Sequence, residues 1–130
     1  MPLTRTLPYA DVELALTSWL QAQLPTCRLV TETPAAFTVP VVQVERIGGA
    51  SRFTLDAPRV DISTFASDRQ SSLALAEQVR MLMEQILPGT RIGNASFGAV
   101  FCDSGPSWAP WDNTNVRRFV ASYQMAVHAG

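Results

Sequence analysis

The spacing of apolar residues along the chain changes period twice, and each change marks a change of element. Over residues 9–24, Val12, Leu16, Trp19, Leu20 and Leu24 recur at helical spacing until Pro25 stops the pattern, which predicts an amphipathic helix. Residues 27–30 form a short strand candidate, and a connection containing Pro and Thr follows over residues 33–40. The run Val41-Val42-Gln43-Val44-Glu45-Arg46-Ile47 is rich in β-branched residues and is predicted as a strand that Gly48-Gly49 ends.

Arg59-Val60-Asp61-Ile62-Ser63 alternates strictly, with Val60 and Ile62 on one side, as a half-buried strand requires. Ser67-Asp68-Arg69-Gln70 then has the S-x-x-Q form of a capping box. Leu75, Val79, Leu82 and Ile86 follow at helical spacing up to Leu87-Pro88-Gly89, so a second helix is expected. Arg80 and Glu84 fall one turn apart on its solvated face. The last third returns to period two. Phe97, Ala99 and Phe101 are assigned to one side of a strand over residues 96–102. Phe119, Ala121, Tyr123, Met125 and Val127 are assigned to one side of another over residues 118–128. Between them, residues 103–115 read as a loop rich in turn formers that also holds Trp108 and Trp111.

The order helix, short strand, strand, strand, helix, strand, strand implies an α+β fold. The expected architecture is a two-layer sandwich, with a mainly antiparallel sheet and both helices packed on one face. The other face, lined by Arg59, Asp61, Arg118 and Gln124, is left to solvent or to a partner. No repeat, low-complexity tract or linker divides the chain, so residues 1–130 are expected to form a single domain.

Composition narrows the function classes. The hydrophobic fraction is 47%, the charged fraction 16% and the net charge −1, which suits a packed domain and argues against DNA as the main ligand. All ten basic residues are arginine, whose planar fork suits subunit contacts, although codon bias alone is the better account of the count. No apolar stretch approaches the ~18 residues that span a membrane, and the first eight residues hold no apolar signal core. The chain is therefore expected to be soluble and made in the cytoplasm. Asn94-Ala95-Ser96 matches a glycosylation acceptor pattern and is read as coincidence.

Chemistry-bearing constellations are sparse. Cys27 and Cys102 form no CxxC pair, and one histidine leaves too few ligands for a structural zinc site, so both thiols read as small buried hydrophobes. A nucleophilic site would need Cys27 or Cys102, His128 and a carboxylate to converge, with His128 two residues from the end of the chain. Asp56, Asp61 and Asp68 are irregularly spaced, and Asp68 is accounted for as a helix cap. Neither GxxxxGK[ST] nor GxGxxG occurs. No metal, cofactor or catalytic residue is assigned. Arg117-Arg118 is the only adjacent basic pair and suits a subunit contact or a pairing with Asp112 better than a phosphate. Trp108 and Trp111 suit core packing and interface anchoring equally.

The segment Trp108-Ala109-Pro110-Trp111-Asp112-Asn113-Thr114-Asn115-Val116-Arg117-Arg118-Phe119 resembles tail terminators of long non-contractile-tailed phages of actinobacteria. Pro40 to Gly49, Asp56 to Ile62 and Ala74 to Arg80 follow the order that family shows, with Trp111 where Tyr is expected. The resemblance implies a non-enzymatic virion protein, made in the host cytoplasm and placed at the tail-neck junction. It implies a homo-oligomeric ring, a hexamer, that caps the tail tube, ends its polymerisation and joins it to head-completion (stopper) proteins. Partners would be the major tail tube protein and the stopper, with genomic DNA only as passing cargo and no membrane. Trp108, Trp111, Asp112, Asn113, Arg117 and Arg118 are the candidate interface residues. Rival readings are another neck protein, such as a stopper or adaptor, a small hydrolase using Cys102, Asp103 and His128, and a nucleic-acid-binding module.

Overall fold

In the computed structural model, residues 10–33, 38–52, 55–111 and 116–129 are described. The helical spacing at the start becomes α1, Val12–Gln23, whose N-cap Asp11 accepts the Leu14 N–H at 3.0 Å. The strands β1 (Arg28–Val30), β2 (Val41–Arg52) and β3 (Leu55–Ala66) follow, then α2 (Arg69–Met81), one π-helical turn over Leu82–Ile86, β4 (Arg91–Ile92), β5 (Ala95–Trp108) and β6 (Arg117–Ala129). They build an α+β protein around a mixed six-stranded sheet in the order β1-β2-β3-β6-β5-β4. The β1–β2 pair is parallel and the other four pairs are antiparallel.

Both helices meet one side of the sheet in the main core. Leu16 and Leu20 of α1, and Val79 of α2, are buried with Val44, Ile62 and Ala121, which stand side by side in register on β2, β3 and β6. Thr64 and Ser72 tie α2 to β3 reciprocally: the Ser72 hydroxyl donates to the Thr64 carbonyl at 2.9 Å, and the Thr64 hydroxyl to the Ser72 carbonyl at 3.2 Å. No described helix is long and apolar enough to cross a membrane.

The structure corrects four boundaries. The α2 cap is Asp68, as its reading as a helix cap expects; it accepts the Ser71 N–H at 2.8 Å, and the box based on Ser67 is not the cap. That N–H, and then the Ser71 hydroxyl, hold the Asp68 carboxyl below its ordinary pKa. β2 does not end at Gly48-Gly49. A register shift between Arg46 and Gly48 lets the strand continue, with φ of 135° and 111° at the two glycines. A Cβ on Gly49 would lie 2.2 Å from the Ala57 carbonyl oxygen, so only glycine lets β2 approach β3 there. Residues 103–108, expected as loop, are the second half of β5, paired with β6 through Trp108↔Phe119.

The fourth correction bears on the surface. Phe97, Ala99 and Phe101 do not share a side, because the register shifts between Phe97 and Val100. Phe97 is buried, Val100 takes the next inward place, and Phe101 is turned outward with 65% of its surface exposed. The connection expected over residues 33–40 lies partly outside the described residues.

Candidate functional site

At one end of the sheet, the start of α2, the end of β5 and the start of β6 bring two tryptophans and two arginines together. Trp108 is the cross-strand partner of Phe119 and meets it edge to face, with ring centroids 5.6 Å apart. The guanidinium carbon of Arg69, in the first turn of α2, lies 4.9 Å from the Trp108 ring centre and 5.8 Å from that of Phe119. Trp108 remains 37% exposed.

Trp111 points to the other side of the sheet. It meets Phe65 edge to face at 5.3 Å, beside a small second core of Val41, Phe65 and Val116. Phe65 is buried there because residues around Trp111 cover the sheet locally. Arg118 holds that cover in place. Its guanidinium carbon lies 4.8 Å from the Trp111 ring centre, Nε donates to the Ala109 carbonyl and Nη2 to that of Pro110, both at 3.3 Å. The Ala109 N–H donates to the Arg118 carbonyl at 3.0 Å. Trp108, Pro110, Trp111, Val116 and Arg117 line a recess between the two aromatic groups.

The candidate interface residues thus divide. Trp108, Trp111, Arg117 and Arg118 come together, while Asp112 and Asn113 lie outside the described residues. Arg69 belongs to the same cluster and was missed. Its only signal was an arginine after the helix cap, with nothing in the chain to pair it with Trp108.

Elsewhere on the sheet, Arg59 reaches Asp103, and the Ser122 hydroxyl donates to Asp61 at 2.5 Å. These groups balance one another on the face away from the main core. Buried Asp56 accepts both terminal nitrogens of Arg46, at 2.5 and 2.7 Å, and the Ser51 hydroxyl at 2.6 Å. Burial pushes the Asp56 carboxyl up, but these hydrogen bonds, the Arg46 charge and the Ala57 N–H outweigh it and leave the pKa lowered.

The reactive groups are spread apart. Cys102 pairs in register with Tyr123, whereas His128 pairs with Ser96. Five residues of β6 separate those positions, or about 17 Å at ~3.3 Å per residue. Burial raises the Cys102 thiol pKa, which disfavours the nucleophilic thiolate. Cys27, also raised by burial, sits beside β1 at the opposite side of the sheet. Among the described residues, no three histidine, cysteine or carboxylate groups gather as metal ligands.

Residues 8–98 match the family described as phage tail termination protein. The chain belongs to that family. The protein is therefore a structural phage tail component, of a family that is not one of enzymes. The matched region ends before the Trp108 to Phe119 segment that carries the most specific part of the sequence resemblance. A solved chain from the "Virion of native gene transfer agent (GTA) particle" is similar in fold, with TM-score 0.56 and 13% identity over 91% of this chain and 90% of that one. At that identity the likeness concerns the fold alone. No curated protein matches the chain in sequence.

Proposed function

We propose that this protein forms a ring on the last ring of tail tube subunits, stops tube polymerisation there, and offers its other face to the head-completion protein. The observation that carries this reading is the family match over residues 8–98. A single two-layer domain in a closed ring of like subunits, six by the family resemblance, would satisfy lateral contacts and leave two unlike faces for different partners. The protein would be made in the host cytoplasm and end at the tail-neck junction of the virion, with DNA passing through the ring as cargo.

For the partner contact we assign the end of the sheet holding Trp108 and Arg117, and we keep Asp112 and Asn113 as further candidates from their place in the sequence. Trp108 is the exposed aromatic beside the recess, and large aromatics with arginine are the usual anchors of interfaces. Trp111 and Arg118 belong to this site as its support.

Disrupting the gene in a producing host tests the reading. Unjoined heads and tails of abnormal length are expected in electron micrographs. Unjoined tails of normal length would point to a stopper or adaptor that acts after the tube is finished, and normal virions would refute any neck role.

A further inference from the structure

Two exposed charges stand where their own chain gives them no counter-charge. Arg69 is the first residue of α2, so its cation lies at the positive end of the helix, and no acidic residue occupies that first turn. The adjacent Asp68 is spent on the Ser71 N–H and hydroxyl. The contacts with Trp108 and Phe119 orient the Arg69 fork without neutralising it, and its guanidinium makes no ion pair or hydrogen bond among the described residues.

Glu45 is the opposite case. It is exposed on β2 directly across from Asp61 on β3, carboxylate against carboxylate, an arrangement that costs stability. The Ser122 hydroxyl donates to Asp61, and nearby Arg59 is taken by Asp103. Glu45 itself makes no ion pair or hydrogen bond among the described residues.

Each charge has an apolar neighbour of complementary form. Trp108, under Arg69, is also a wall of the recess that Pro110, Trp111, Val116 and Arg117 complete, with a volume of about 260 Å³. Two residues beyond Glu45 on β2, Ile47 is 46% exposed. The two surfaces cannot meet within one copy. α2 packs on the main-core side of the sheet, whereas Glu45 and Asp61 follow Val44 and precede Ile62 of that core and so point to the other side.

We propose that Arg69 and the recess beside it receive Glu45 and Ile47 of the next copy. The inference rests on the ring reading above and names the partner of the assigned site as a second copy of this chain. Two unlike surfaces on opposite sides of the sheet make a head-to-tail contact, the kind that closes rings. A phosphate backbone would satisfy Arg69 and leave the recess unfilled, whereas an acidic side chain beside an apolar one occupies both.

The test reverses each charge in the full chain. Arg69→Glu places a carboxylate at a helix N-terminus and Glu45→Arg removes a like-charge pair, so both variants should keep the wild-type circular dichroism spectrum. Light scattering against concentration, alone and on isolated tail tubes, should show each variant by itself associating about tenfold or more weakly than wild type, because the contact then joins like charges. Mixed in equal amounts, the two should associate about tenfold more tightly than either alone, since every contact in an alternating ring again joins unlike charges. A reversal that leaves the wild-type midpoint unmoved overturns the contact and leaves the ring standing. So does a mixture as weak as its components, the result expected if Arg69 instead meets a nucleic acid or a different acidic protein. A wild-type chain that stays monomeric both alone and on tubes overturns the ring and this contact with it.

Discussion

The guanidinium of Arg118 lies 4.8 Å from the ring centre of Trp111 while donating to the carbonyls of Ala109 and Pro110. One arginine thus fixes the cover over Phe65 from within its own chain. Arg118→Ala should lower thermal stability by about 1–3 kcal/mol, from two hydrogen bonds and one cation–π contact. Arg118→Lys should recover little, since lysine lacks the planar fork. Thermal unfolding of both variants measures this, and an unchanged melting temperature would remove the stack from the stability of this end.

Trp108 is the contrasting case, because its exposed part lies beside the recess and Arg69 covers one ring face. Trp108→Ala should reduce incorporation into tails more than tenfold while the circular dichroism spectrum stays native. Full incorporation would exclude Trp108 as an anchor.

The Arg46–Asp56 pair predicts acid lability. The Asp56 pKa is lowered in the folded protein, so its stabilisation is complete above the unfolded value and is lost as pH falls through the folded one. Wild type should lose stability progressively below about pH 4, and Asp56→Asn should flatten that dependence. At neutral pH the substitution strands Arg46 in a part-buried site and should cost about 3 kcal/mol, by the scale for broken buried pairs. Denaturant titrations from pH 2 to 7 provide the check. An equally steep acid limb in Asp56→Asn would exclude this pair as its source.

Gly48 and Gly49 have similar backbone angles but different surroundings. Gly48→Ala meets no atom within 4 Å and should cost about 1–3 kcal/mol from positive φ alone, whereas Gly49→Ala drives its Cβ into the Ala57 carbonyl and should cost distinctly more. Equal melting temperatures for the two variants would contradict the close approach of β2 and β3.

Cys102→Ser and His128→Ala, made separately, should each leave particle yield within about twofold, since His128 is exposed and serine keeps nearly the size of the partly buried Cys102. Loss of infectious particles in both, with the fold intact, would revive the enzyme reading.

The helices and the final strand were legible in the sequence because their evidence is local. Leu16 and Leu20, or Phe119 through Val127, bury one face at a period that any partner surface would preserve. The phase of β5 was not legible. A bulge after Phe97 inserts a residue only because of how β5 meets β6, and from there the residues expected inward, Phe101 among them, face out. Likewise Gly48-Gly49 and Gly105-Pro106 are ordinary strand breakers, and only their pairing with β3 and β6 keeps the strands running. At the candidate site the tryptophans and the arginine pair stood out by type. Which arginine covers which ring, and the part played by Arg69, depended on bringing α2, β5 and β6 to one end of the sheet. The sequence by itself determined the helices, the inward face of β6 and the α+β class, because burial periodicity is written residue by residue. The tertiary structure decided strand register and the aromatic–arginine pairs, because each depends on contacts between segments far apart in the chain.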